Sequence, residues 1–316
     1  MKILVISTPR QPTESVGSNG LGRYVYDLID YLVSKDCIVS TFVSPGSDIK
    51  FDNVKKHIWK NEVLDIGLIK KIIDVENLDI IIDCSHNKLL SKFFKNKKPN
   101  VINIMLDEEC DYNPINCIVG NKYQQQQYPK SLICKPGIRI NNFPFFKEKE
   151  DYYSFAGKIE KRKGFDLAIS ICEKSNQNLI LAGPLCSWYP NGAAELKNQN
   201  WIGEIKNHNE FCSFVGKSKC LLYPSRSEAG GLGILHAMAL GVPCITLSGT
   251  GTSCFVEHGI TGYIADDIES AAAYCDKIKD LDPQKIRQYC EDNFDIHKNF
   301  GNLYNLMKQV VDGKTW

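Results

Sequence analysis

Lys158 and Lys163 stand five residues apart in Gly157-Lys158-Ile159-Glu160-Lys161-Arg162-Lys163-Gly164. The first follows a short apolar run ending at Ala156, and the second opens a segment of helical period. Two ammonium groups beside the free amides of a helix start suit a diphosphate, because charge and aligned peptide dipoles act together. The plain alternative is a basic, solvated turn. A second stretch, Glu228-Ala229-Gly230-Gly231-Leu232-Gly233, sets a carboxylate directly upstream of another helix start. There Gly230 and Gly231 leave the backbone bare for a bulky ligand. A third, Gly17-Ser18-Asn19-Gly20-Leu21-Gly22, precedes the helix that begins at Arg23. It does not read GxGxxG and lies far from its strand, so it is no dinucleotide fingerprint. It is either an anion cradle or a loop that needs glycines to turn. His208, His258 and His297 have no metal-ligand spacing, and no metal is expected.

These residues need elements to hold them. Apolar runs at 3–6, 37–43, 79–82, 101–106, 117–119 and 132–134 alternate with helix-period segments, the clearest being Leu21, Tyr24, Val25, Leu28, Ile29 and Leu32. Around 141–151 the pattern breaks into Asn-Asn-Phe-Pro-Phe-Phe and a charged run, which reads as a linker. It restarts with strands at 152–156, 179–182, 220–223 and 243–247 and helices at 164–174, 210–215 and 232–240, and ends in a helical tail from 268 to 311. Strand–helix alternation of this kind is the signature of doubly wound parallel sheets, here two in succession. Ligands of such sheets bind at the carboxyl ends of the strands, where both basic and glycine-rich turns must lie.

Composition narrows the classes. With 316 residues, 43% hydrophobic and 24% charged, the chain is globular and long enough for two domains. Thirty-eight basic against 37 acidic side chains leave a net charge of +1, which excludes the cationic footprint of a nucleic-acid binder. The 13 cysteines show no CxxC pair, and Cys84, Cys117, Cys172 and Cys244 sit inside apolar runs. They read as reduced thiols packed as small hydrophobes. No apolar stretch approaches the roughly 20 residues of a membrane span, and the first residues are too short an apolar run for a signal peptide. A cytoplasmic protein is the expectation.

The second half resembles the donor-binding domain of the retaining glycosyltransferases of family four, within the group 1 glycosyl transferases. The resemblance rests on Gly157-Lys158-Ile159, Lys163-Gly164, Leu181-Ala182-Gly183, Trp201-Ile202-Gly203, Tyr223-Pro224-Ser225, Glu228, Gly231-Leu232-Gly233, Ala237-Met238-Ala239, Gly241-Val242-Pro243 and Glu257-His258-Gly259-Ile260-Thr261-Gly262. The first half adds Lys2 to Ile6, the glycine loop before Tyr24-Val25, and Lys135-Pro136-Gly137-Ile138. The likeness implies the GT-B fold, two Rossmann-like α/β domains facing a cleft. Residues 1–147 would be the acceptor domain, 148–295 the nucleotide-sugar domain, and 296–316 a helix crossing back to the first domain.

By that resemblance Lys158 and Lys163 bind the donor diphosphate and stabilise the leaving group, doing the work a metal does elsewhere. Glu228 touches the donor sugar, with Gly157, Gly183, Ser225, Gly230, Gly231, Leu232 and Gly233 lining the donor site. Gly20 and Gly22 close over the phosphates, and His86, in Asp83-Cys84-Ser85-His86, contacts the transferred sugar. Three departures stand out: His236 occupies the place of the second Glu that grips the ribose, Lys158 that of an Arg, and Leu106 that of a His. The expected reaction is metal-independent, retaining transfer from a UDP- or GDP-sugar, a co-substrate rather than a cofactor. The acceptor would be a hydroxyl of a glycan, glycoprotein or lipid-linked molecule, with Asp107, Glu108 and Glu109 as candidate contacts. The alternatives are a weak or inactive sugar-nucleotide-binding partner subunit and, less favoured, a GT-B epimerase. The basic segment 88–98 could touch a membrane, but an ordinary packed helix is favoured.

Overall fold

Short apolar runs buried on both faces become parallel strands here, and the amphipathic segments between them become the crossovers that parallel pairing requires. The computed structural model describes residues 1–15, 20–60, 65–86, 88, 90–94, 99–106 and 114–316. Asp107, Glu108 and Glu109, the Gly17–Asn19 part of the first glycine loop and much of the basic segment 88–98 lie outside the described residues. The chain divides into unit 1, Met1–Gly137 with Ile296–Trp316, and unit 2, Ile138–Asp295.

Unit 1 runs β1 (Lys2–Ile6), α1 (Gly20–Val33), β2 (Ile38–Val43), β3 (Lys55–Ile58), α2 (Ile66–Glu76), β4 (Ile80–Asp83), α3 (Leu90–Phe93), β5 (Asn100–Met105), β6 (Cys117–Val119), α4 (Lys122–Gln127) and β7 (Leu132–Ile133). The strands form one parallel sheet in the order β3-β2-β1-β4-β5-β6-β7. Ile6 pairs with Asp83, so the carboxyl ends of β1 and β4 lie side by side where the strand order reverses.

Unit 2 runs β8 (Tyr153–Ala156), α5 (Phe165–Ser175), β9 (Leu179–Ala182), α6 (Gly192–Glu195), α7 (His208–Gly216), β10 (Cys220–Tyr223), α8 (Leu232–Ala239), β11 (Cys244–Leu247), β12 (Gly262–Ala265), α9 (Ile268–Cys275) and α10 (Pro283–Phe294). Its parallel sheet has the order β12-β11-β10-β8-β9, reversing between β8 and β10. One face is covered by α8 and α10 around Leu235, Met238, Ile286 and Phe294, the other by α5 and α9 around Phe165, Ile171 and Ala271.

One stretch differs from the sequence reading. Residues 141–151 are not a free linker: Phe143 is buried in the core of unit 2, Phe146 N donates to Leu240 O at 3.3 Å, and Glu150 N donates to Lys217 O at 2.7 Å. The division of the chain therefore falls at Gly137/Ile138, ahead of residue 147. The last helix, α11 (Ile296–Val311), packs Phe300 edge-on against Tyr24 at 5.3 Å and Tyr31 at 5.7 Å, and so belongs to unit 1.

Candidate active site

The strand reversal in unit 2 fixes where its ligand should sit, since the crossovers leave β8 and β10 to opposite sides and open a crevice at their carboxyl ends. Out of β8 comes Gly157–Gly164, and out of β10 comes Pro224–Gly231. The two loops are tied to each other. Gly164 sits at φ +78°, and a Cβ there would run into the Pro224 carbonyl. Arg226 N donates to Arg162 O at 2.9 Å, and the fully buried Ser225 hydroxyl donates to Lys163 O at 3.4 Å. Gly183, at the end of β9 with φ +149°, lies against the Gly157 carbonyl, where no side chain fits. Trp201 Nε1 donates to Gly183 O at 3.0 Å.

Most of the cations on these loops are paired. Arg226 grips Asp166 with two bonds of 2.7 and 2.9 Å, Lys161 lies 3.8 Å from Glu195, and Arg162 Nη2 donates to Glu160 Oε1 at 2.9 Å. Lys163 is ion-paired with Glu228, and Arg162 Nη1 approaches the same carboxylate oxygen at 3.8 Å. Among the described residues the Lys158 ammonium has no carboxylate within ion-pair distance; it lies 5.2 Å from the centroid of the Trp188 ring. The Cys186 thiol reports the convergence. Burial and then Glu160 push its pKa up, while Lys158, Arg162 and Lys163 all pull it down.

The helix starts complete the site. Gly231 precedes α8 and, having no side chain, supplies no cap to its first amides. Gly230, Gly231, Leu232 and Gly233 are half-buried beside them. The arrangement can bind a dianion through ammonium, guanidinium and amide groups while holding one carboxylate, Glu228, next to it.

The structure thus gathers Lys158, Lys163, Glu228, Gly157, Gly183, Ser225 and Gly230 to Gly233 on the carboxyl edge of one sheet, though Ser225 is fully buried and acts as a tie between loops. His236 stands apart. It is 8% exposed, stacked on Phe143 at 4.8 Å and edge-on to Phe211 at 5.9 Å, in the layer between α8 and the segment before β8. Sequence reasoning passed over Arg162, Glu160 and Trp188. Their roles depend on a contact between residues 28 apart, Trp188 Nε1 to Glu160 Oε2 at 2.8 Å, which no local pattern announces.

Gly20, Gly22 and His86 lie in unit 1, at the carboxyl ends of β1 and β4. Gly20 is exposed and Gly22 buried in the first turn of α1. The half-buried His86 follows a turn held by Asp83, whose Oδ1 accepts from Ser85 N at 2.9 Å and Ser85 Oγ at 2.5 Å. Burial raises the Asp83 pKa.

Residues 138–293 match the family described as glycosyl transferases group 1. A curated relative, N-acetyl-alpha-D-glucosaminyl L-malate synthase of Bacillus anthracis, is 25% identical over 197 residues, 61% of this chain and 47% of that protein. The match thus spans about half the length of the curated relative. Among solved structures, sucrose-phosphate synthase of Thermosynechococcus elongatus superposes with a TM-score of 0.79 at 15% identity, covering 99% of this chain and 100% of that one. A glycosyltransferase of Rickettsia africae gives 0.76 at 14% identity, with 99% of each chain covered. Anabaena HepE, solved in complex with UDP and glucose, gives 0.72 at 13% identity over 98% and 99% of the two chains. At such identities these likenesses establish the fold, GT-B. Residues 138–293, nearly all of unit 2, therefore form a domain of the family described as glycosyl transferases group 1.

Proposed function

We propose that the chain is a retaining, metal-independent glycosyltransferase that moves a sugar from a UDP- or GDP-sugar to a hydroxyl of a glycan, glycoprotein or lipid-linked acceptor. One observation carries the reading: Lys158, whose ammonium has no carboxylate partner among the described residues, follows β8 at the strand reversal of unit 2, on the same sheet edge as the Lys163–Glu228 pair and the uncapped start of α8. Breaking the bond from sugar to diphosphate develops negative charge on the leaving phosphate oxygen. Groups already aimed at that oxygen lower the barrier more than they stabilise the bound donor. Lys158, Lys163 and Arg162 supply that charge from the protein itself, which supports metal independence. Glu228, beside them, accepts a hydroxyl of the donor sugar and orients its reacting face. HepE bound to UDP and glucose supports a nucleotide-sugar donor for this fold, and retention follows the family resemblance of the donor motifs. A cytoplasmic site of action is consistent with described cysteines that are all free; no described helix is long and apolar enough to cross a membrane.

Release of nucleoside diphosphate from UDP-, GDP- and ADP-sugars, followed with and without EDTA, tests the proposal, with the product anomer read by NMR. Release from a UDP- or GDP-sugar that survives the chelator is expected. Lys158→Ala and Lys163→Ala should each cost about a hundredfold in turnover with unchanged thermal unfolding. Unchanged turnover in both variants would remove the phosphate site from Lys158 and Lys163, and an inverted anomer would remove retention.

A further inference from the structure

A carboxylate in the middle of an anion site repels the ligand unless it does other work. Glu160 is such a group, 7% exposed and two residues after Lys158. Both its oxygens are engaged: Oε1 accepts from Arg162 Nη2 at 2.9 Å and Oε2 from Trp188 Nε1 at 2.8 Å. Its backbone closes the same turn, with Glu160 N donating to Lys158 O and Lys163 N donating to Glu160 O, each at 3.0 Å. Trp188 is 64% exposed, so burial cannot fix its indole; the bond to Glu160 does. The face of that indole carries the Lys158 ammonium.

We infer that Glu160 is a positioning residue for the donor diphosphate: through Trp188 it holds the Lys158 ammonium, and directly it holds the Arg162 guanidinium. The inference rests on reading this site as the donor-phosphate site. A lysine stem loses rotamer freedom when its ammonium is captured, and one already lying on a fixed ring has lost much of it beforehand. Arg162 gains likewise, since one edge of its fork is bound to Glu160 and its Nη1 donates to Ser227 O at 3.2 Å. Glu160 thereby trades some direct repulsion of the anion for two cations set in place.

The sign of one substitution separates this from simple charge balance. In Glu160→Gln the repelling charge is gone, and the amide oxygen can satisfy one of the two donors while its NH2 cannot accept from the other. A carboxylate that only balanced charge would, once removed, leave tighter anion binding. A positioning carboxylate leaves weaker binding. Trp188→Phe makes the same test from the far side, keeping a ring for Lys158 but removing the N–H that Glu160 holds, and at an exposed position that leaves folding intact.

Inorganic pyrophosphate and UDP are titrated calorimetrically into the full chain and into Lys158→Ala, Glu160→Gln, Trp188→Phe and the double variant Lys158→Ala/Trp188→Phe, with thermal unfolding of each as a control for folding. Expected are losses of pyrophosphate affinity of about tenfold for Lys158→Ala and about fivefold for Glu160→Gln and Trp188→Phe, with Trp188→Phe adding less than about twofold once Lys158 is gone. Equal or tighter binding in Glu160→Gln, or Lys158 and Trp188 effects that multiply, would overturn the inference and leave the donor-site reading standing. If the unaltered chain binds neither probe, or Lys158→Ala binds both as before, the donor-site reading itself fails and this inference with it.

Discussion

Lys163 cannot meet a diphosphate without sharing or breaking its ion pair with Glu228, for each of these side chains is only 17% exposed and each is the other's partner. The carboxylate competes with the phosphates for Lys163 and, at 3.8 Å, for Arg162. Glu228→Gln is therefore expected to act in opposite senses on binding and on chemistry. Freed cations should tighten UDP by several-fold, since a charge-assisted bond is worth about twice a neutral one. Transfer should fall about a hundredfold, since the donor sugar loses the acceptor that orients it. Calorimetry with UDP and initial rates with the preferred nucleotide-sugar measure the two. Parallel losses of both would make Glu228 a structural support for Lys163 rather than a contact of the sugar. Neither Lys163–Glu228, 65 residues apart, nor Glu160–Trp188 could be paired from sequence spacing. The cations and Glu228 themselves stood out because each sits at the end of an apolar strand and the start of a helix.

At the scale of elements, legibility followed burial. β1, β9 and β10 are apolar on both faces and read plainly as uninterrupted runs. β3, Lys55-Lys56-His57-Ile58, is an edge strand with polar residues exposed to solvent, and nothing in its composition distinguishes it from a loop. β12, Gly262–Ala265, is an edge of the separate unit 2 sheet and is hidden in the sequence behind the glycine that begins it. α4 was missed because its Gln run carries no apolar face; Asn121 starts it by accepting from Gln124 N at 3.0 Å. The stretch before β8 was misread because its charges looked solvated, yet Lys149 donates to Gly216 O at 2.7 Å and is half-buried. Burial lowers the Lys149 pKa to about 8. Since the unfolded chain keeps the ordinary lysine value near 10.4, it binds more protons between these limits, and stability must rise with pH across that window. Below about pH 8 both states are protonated and the full penalty is present. Denaturant unfolding at pH 7.5 and 9.5 should show the unaltered chain gaining stability relative to Lys149→Met as pH rises. A constant difference between the two proteins would mean that the ammonium is solvated in the folded state.

For the whole molecule the decisive fact is that unit 2 is one continuous segment whereas unit 1 is completed by the last 21 residues, Ile296–Trp316. α11 buries Ile296, Asn299, Phe300, Leu303, Met307 and Val310, a single helical face, within unit 1. Asn299 Nδ2 donates to Pro136 O at 2.9 Å, and Trp316 Nε1 reaches Cys117 O at 3.0 Å, so the end of the chain is fastened at both ends of its return. Transfer as proposed would draw on unit 1 for its acceptor, whereas the proposed binding of the donor phosphates needs only side chains of unit 2. Phe300→Ala separates the two requirements. Phe300 is 1% exposed between Tyr24 and Tyr31, and truncating it should cost about 3–5 kcal/mol of unit 1 stability. Calorimetric unfolding is expected to show a transition moved to lower temperature, with a second that UDP still raises by mass action. At a temperature below both transitions, UDP should bind Phe300→Ala with unchanged affinity while transfer to the acceptor falls. Loss of UDP affinity in step with the unit 1 transition would show instead that donor binding depends on a folded unit 1, and would overturn its assignment to side chains of unit 2 alone.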